Sequence, residues 1–277
     1  MPRRLIVTAD DFGLDPQVNE AVERAHRQGI LTSASLMVAA PAAADAVARA
    51  RRLSGLRVGL HLAVVDAPPA LAPEIIPRLM GGEGRLRAQS ARTGAAFFLR
   101  PAVRRELARE IRAQFEAFAA TGLALDHVNG HRHMHLHPTV GRLMLEIGRE
   151  FDLRAVRVPD ERLEVLARAA PGVRPGIEAR VMRPWVGLLR RRLRRAGLLG
   201  NDQAFGIHWS GAMDEERVLG LLPHLPEGIT EMYFHPRLAP VPGTDAGPAD
   251  LAALESGAVR ARVRALGIEL TAFGALV

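Results

Sequence analysis

Residues 127–137 carry imidazoles at His127, His131, His133, His135 and His137, with Asn129 filling the one gap in the alternation. Imidazole binds metals and carries protons near neutral pH, so the tract is a candidate for either task. The remaining chemistry-bearing residues are isolated: Asp10 and Asp11 close an apolar run, His61 lies inside GLHLAV, Arg157 in VRVP and His235 in MYFHP. Asp11, His61 and His131 make one carboxylate and two imidazoles, a facial ligand set that leaves positions for water and substrate. Asp10, next to a ligand, stands within reach of a bound water as a general base, and His235 is the matching acid for a leaving group. A metal between such a base and acid hydrolyses amides or esters.

Each residue also has a plainer use. An aspartate pair after a strand caps a helix, and a histidine in an apolar strand is often a satisfied core residue. His235 before a proline could serve a turn, and Arg157 either orients Asp10 through an ion pair or sits at the surface. A strand of the tract's length would reach about 36 Å, too far for all five imidazoles to share one site. His131, which ends the fourth strand, is the one grouped with Asp11 and His61. His127, Asn129, His133 and His135 are left to support the ligands or touch substrate, and His137, before Pro138, starts the next helix.

These residues need a scaffold that brings distant segments together. Residues 4–10, 31–39, 56–65, 125–131, 155–159, 204–210, 228–236 and 268–273 read as strands from their apolar, β-branched character. Residues 16–28, 43–53, 101–121, 138–151, 214–222 and 248–266 read as helices. The alternation predicts an α/β fold, a (β/α) barrel variant, TIM-like but seven-stranded or distorted, in a single domain over 1–277. Segments near 67–100 and 160–203 are too long for plain connections and read as excursions over the active face. The chemistry-bearing residues fall at C-terminal strand ends, which ring one mouth in such barrels.

Composition narrows the classes. With 277 residues and 48% hydrophobic residues the chain can bury a real core. It has no cysteine, which excludes disulfides and thiolate ligands and fits a cytoplasmic location. The net charge of +7 comes from arginine alone, since no lysine occurs, and aromatics are only 4%, so a nucleic-acid partner is not expected. The first apolar run breaks at Asp10, too short for a signal peptide, and no stretch is long enough to span a bilayer. The segment 183–199, RPWVGLLRRRLRRAGLL, reads as a helix with Trp185, Val186, Leu189 and Leu193 opposite Arg190, Arg191, Arg194 and Arg195. That pattern suits peripheral contact with an anionic membrane, or packing on the barrel by the apolar side. A homodimer stays open.

TADDFGLDPQVNEAV (8–22), GLHL (59–62), HVNGHRHMH (127–135), VRVP (156–159) and MYFHP (232–236) resemble, in order and spacing, the YdjC/ChbG-like carbohydrate deacetylases. The resemblance implies a variant βα barrel that removes N-acetyl groups from amino sugars with one divalent metal, usually magnesium; ligand softness alone suits zinc. It places the metal ligands on Asp11, His61 and His131 and the base on Asp10, and His235 matches the family's HP histidine. At 129–130 this chain has Asn-Gly where the family commonly has Asp-Ser. Residues 202–236 resemble the hopanoid biosynthesis-associated branch, which implies an N-acetylglucosaminyl hopanoid as substrate. Two other readings stay open: a metal-dependent phosphoesterase, and a metal-dependent sugar-binding module without catalysis.

Overall fold

The structure, a computed structural model, describes residues 2–170, 172, 177–241, 244 and 246–277, without the side chains of 177–181. Seven parallel strands form one curled sheet: β1 (Arg3–Phe12), β2 (Ser33–Leu36), β3 (Arg57–Leu62), β4 (Val128–Gly130), β5 (Gln203–Phe205), β6 (Gly228–Phe234) and β7 (Glu269–Thr271). Their order is β4-β3-β2-β1-β6-β5, with β7 pairing the first half of β1 below the point where β2 joins it. The fold is thus the expected α/β, barrel-like one. Strands buried on both faces explain the near-continuous apolar runs: Leu5, Ile6, Val7 and Ala9 of β1 have no exposed surface.

Some elements differ from the sequence reading. Residues 155–159 form isolated bridges to β4 and Leu199 instead of a named strand. They still carry ladder bonds on both sides, Arg157 N donating to Val128 O at 3.1 Å and Val156 N to Leu199 O at 3.0 Å. β4 is shorter than 125–131, because Arg132 and His133 take φ of 54° and turn the chain into a 3-10 coil over 131–136. The helix expected over 248–266 is two helices, parted at Ser256, whose hydroxyl caps the second by accepting from Val259 N.

The helices follow their local signals. α1 (Pro16–Gln28) begins with proline after Asp15, whose Oδ1 accepts from Gln17 N and Val18 N at 2.9 and 3.1 Å. α2 is Ala43–Arg52 and α3 is Ala91–Leu99. α4 (Pro101–Ala120) buries Val103, Leu107, Ile111, Phe115 and Phe118 at helical spacing against α5 (Pro138–Gly148). Each such burial contributes about 1.5–3 kcal/mol. α4 also buries Glu106 and Glu110, which pin the 67–80 excursion: Glu110 accepts from Ala70 N and Leu71 N at 2.7 and 3.1 Å, and Glu106 from Arg78 N at 2.7 Å. α6 (Leu163–Ala169) and α7 (Ile177–Ala196) occupy the second excursion. Val186, Leu189 and Leu193 of α7 are buried in the core while Trp185 is 39% exposed, so the apolar side packs on the barrel.

Candidate metal centre

β1 separates two neighbouring aspartates. Its register against β2 passes from Ala9↔Ala34 to Phe12↔Leu36, three steps against two, so β1 carries one extra residue there. Asp11 sits in that bulge at φ 61°, left-handed backbone that costs a non-glycine residue roughly 1–2 kcal/mol. The bulge turns Asp11 toward the opening while Asp10 stays inside the barrel, 2% exposed.

At the opening three donor atoms converge. Asp11 Oδ1 lies 3.3 Å from His61 Nε2 and 3.2 Å from His131 Nδ1, and those nitrogens are 3.3 Å apart. Donors sharing one ion at roughly 2.1 Å must have about this separation. Among the described residues this is the one group of three such donors. His61 Nδ1 donates to Asn129 Oδ1 at 2.7 Å, which aims Nε2 outward. Burial opposes a charge on His61, but Asp10 and Asp11 outweigh it and raise its proton affinity above the ordinary value. Burial likewise opposes the charge of Asp11, yet hydrogen bonds from His131 and His61 hold its carboxyl well below the usual range. The preference of both groups is for positive charge at the point where their donors meet.

Behind the donors lies a closed polar network. Arg157, fully buried, donates from Nη1 to Asp10 Oδ2 at 2.5 Å and from Nη2 to Asp10 Oδ1 at 3.0 Å. It also donates to both oxygens of Glu231, at 2.9 and 2.8 Å, and Thr8 Oγ1 donates to Glu231 Oε1 at 2.7 Å. Burial pushes the Asp10 carboxyl up, but the Arg157 guanidinium, helped by the nearby His61 and His235, holds it far below the usual range. Two carboxylates, Asp10 and Glu231, share one guanidinium, and the third, Asp11, has only imidazoles beside it, so the site carries an excess of negative charge when those rings are neutral. Donor set, spacing and the sign of the charge all fit a divalent ion.

Asn129 joins the two parts. Its Nδ2 donates to Asp10 Oδ1 at 2.9 Å and to Ser35 Oγ at 2.8 Å, while its Oδ1 holds His61. His127 lies deeper, with no exposed surface, bonded through Nε2 to Ser35 Oγ at 3.1 Å and through Nδ1 to Asp126 at 2.9 Å. It is therefore a support behind Asn129 and has no surface on which to touch a substrate. His135 Nε2 holds Arg157 O at 3.1 Å, and burial pushes its pKa down to about 3. Burial also pushes His133 well below the ordinary value. Both rings are neutral at pH 7, and the Nδ1 atoms of both are buried without a partner. His137 caps α5, its Nδ1 accepting from Thr139 N at 3.3 Å.

His235 stands at the end of β6, half-buried, its backbone N–H donated to Asp250 Oδ2 at 2.8 Å. Its ring meets the Tyr233 ring edge-on at 5.8 Å and makes no hydrogen bond among the described residues. Sequence reasoning missed Glu231, Tyr233, Ser35 and Glu161. The Tyr233 hydroxyl lies 3.0 Å from His133 Nε2, and the Arg157 guanidinium stacks 4.4 Å from the centre of the Tyr233 ring. Glu161 accepts from the backbone N–H groups of Gly206, Ile207 and His208 at 2.9–3.0 Å, fixing the turn after β5, where Gly206 needs φ 124°. Burial raises the Glu161 carboxyl to about 7 against the pull of those three donors.

A carbohydrate deacetylase of Brevibacillus brevis is 39% identical over 156 residues, 56% of this chain and 59% of that protein. Another, from Geobacillus stearothermophilus, is 36% identical over 154 residues, 55% and 59% of the two chains. The chain thus matches well under two thirds of the length of these relatives. A structure from Enterococcus faecalis V583, provisionally described as a cellobiose-phosphate cleavage protein, superposes with a TM-score of 0.76 at 23% identity and covers 100% of both chains. That likeness establishes the fold. The model of the family described as YdjC-like protein matches residues 4–265, through every strand that delivers a residue to the donor cluster and to the network behind it, and the chain belongs to that family.

Proposed function

We propose that the protein hydrolyses the acetamide of an N-acetylated amino sugar, releasing acetate and a free amine, with one divalent metal ion held by Asp11, His61 and His131. The observation that carries this reading is the meeting of those donors at one point, beside a buried ionised carboxylate and an unbonded imidazole. The similarity to carbohydrate deacetylases over part of the chain supports it. When bound, such an ion supplies the charge that polarises the acetamide carbonyl and acidifies a water. A carboxylate has about four lone-pair sites, and Arg157 and Asn129 occupy three on Asp10. The remaining one accepts the water's proton. Arg157 keeps Asp10 ionised and fixed. His235 gives a proton to the departing amine nitrogen. His133 and His135, neutral, offer shape and hydrogen bonds without charge.

The ligand types favour zinc, and the family resemblance favours magnesium. The finer substrate we propose is a lipid-linked N-acetylglucosamine of the hopanoid class, hydrolysed in the cytoplasm at the inner membrane face. The contact proposed is peripheral; no described helix is long and apolar enough to cross a membrane. α7 offers little to that contact, since Val186, Leu189 and Leu193 are buried on the barrel, Arg190 is paired with Asp160 at 2.9 Å and Arg192 donates to Pro138 O at 2.7 Å.

Acetate release from acetylated amino sugars, followed with and without a chelator, tests the reading. Activity is expected to vanish on metal removal and return with added divalent ion. Full activity in a metal-stripped sample would remove the site as drawn.

A further inference from the structure

The first excursion builds a second surface, away from the donor cluster. At the corner between α3 and α4, Phe98 is 56% exposed and Leu99 is 69% exposed. Two adjacent large apolar side chains at a helix junction form a small exposed apolar prong, and such a prong rimmed by charge is the form an interaction site takes. Beside them lies a cavity of about 350 Å³ whose lining includes Arg78, Arg87, Arg92 and Arg100. Arg104 and Arg105, on the first turns of α4, line a shallower groove next to it.

The charges on this corner are not balanced locally. Arg78 is spent on Glu106, 2.6 Å away. Arg87 donates Nε to the Arg78 carbonyl at 2.8 Å and keeps its charge. Arg92, Arg100, Arg104 and Arg105 make no ion pair among the described residues. One wall of the cavity is anchored to α4, because Glu106 and Glu110 hold residues 70, 71 and 78 through backbone N–H groups. The chain that builds this surface leaves the C-terminal end of β3 and returns there, since Ala63 N donates to Gln114 Oε1 of α4 at 2.9 Å. Gln89 of the same excursion donates to the carbonyl of Arg132, next to the ligand His131, at 3.5 Å.

We infer that the α3–α4 corner is a docking surface for an anionic lipid bilayer, with Phe98 and Leu99 entering the interface and the arginines of the adjoining cavity taking lipid phosphates. Charge complementarity selects this occupant. A second copy of the chain, paired about a two-fold axis, would bring unpaired arginines of like charge face to face. A bilayer offers apolar depth for the two prongs and a continuous negative layer for the cations, the combination an interfacial element uses. The inference locates the membrane contact that the lipid-linked reading needs. It also places that contact on a different element from α7, whose apolar stripe is already buried.

Co-sedimentation with vesicles tests it, using the full chain and phosphatidylglycerol–phosphatidylcholine mixtures against pure phosphatidylcholine. Binding should rise with phosphatidylglycerol and fall with salt. Arg92→Gln with Arg100→Gln should weaken partitioning roughly 25-fold, about fivefold per arginine. Phe98→Ser with Leu99→Ser should weaken it by about tenfold or more. All four side chains are exposed, so folding is unaffected, and acetate release from a soluble acetylated sugar should match the parent. Vesicle binding needs no turnover, so it decides the surface even where no deacetylation is found. Equal binding to neutral and anionic vesicles, or parental binding by both double variants, overturns the inference. So does a concentration-dependent dimer that Phe98→Ser with Leu99→Ser abolishes.

Discussion

Asp10 and Asp11 are adjacent in the chain, and the regions they belong to obey different electrostatics. Asp10 lies in a network where each charged group already has its partner: a guanidinium between two carboxylates, with Asn129 donating to Asp10 and Thr8 to Glu231. Asp11 lies in a cluster whose donors have only one another. In the first region the charges are matched by fixed protein partners; in the second the donor atoms converge on one point and would serve a cation there. A single bulged residue in β1 sends the two carboxylates to these separate fates. A site can therefore draw a fixed charge and a metal-ligating oxygen from consecutive residues, provided the strand is irregular between them.

The largest expected effect comes from breaking the closed region. Arg157→Met leaves Asp10 and Glu231 buried with no cation, and removal of one partner from such a group costs about 3–5 kcal/mol. Urea unfolding should record that loss. Combining the change with Asp10→Asn and Glu231→Gln should restore most of it. A loss below about 1 kcal/mol for Arg157→Met alone would mean the network is not closed.

A smaller change separates the roles of the two aspartates. Asp10→Asn should keep the bound metal and lower kcat by two or more orders of magnitude, at least about 2.7 kcal/mol in the barrier. Asp11→Asn or His131→Ala should instead lose the metal, read by elemental analysis of the purified protein. Should metal content follow Asp10 and not Asp11, the two roles would be exchanged.

The mildest test cuts the link between the regions. Asn129→Ala frees the His61 ring, and loss of such a supporting hydrogen bond typically weakens metal affinity by about 10–100-fold. Calorimetric titration of metal into the variant measures it. Unchanged affinity would show that the cluster does not depend on the network behind it.

The apolar runs made the strands legible, because a parallel sheet covered on both faces leaves little polar signal inside it. The spacing of Asp11, His61 and His131 at three strand ends was legible for the same reason. The histidine tract was harder. Alternation predicts one face for all its rings, but Arg132 and His133 adopt left-handed backbone and end the strand at Gly130. No pattern in HVNGHRHMH announces that turn. Glu231 left a signal that went unused: one carboxylate inside GITEMYF, in a strand otherwise buried, must have a cationic partner. Arg157, in VRVP, is that partner, and only the fold brings together positions so far apart in sequence.

Tyr233 is the chain's single tyrosine, and it sits in the wall of the site with its ring against Arg157 and its hydroxyl on His133. Burial raises that hydroxyl's pKa well above the ordinary value, so the ring stays a neutral phenol as long as the chain is folded. The molecule therefore carries its own optical reporter. Any change in tyrosine ultraviolet absorption on adding a metal ion or a sugar originates within a few ångströms of Arg157 and His133, with no label attached and no other phenol to confuse the assignment.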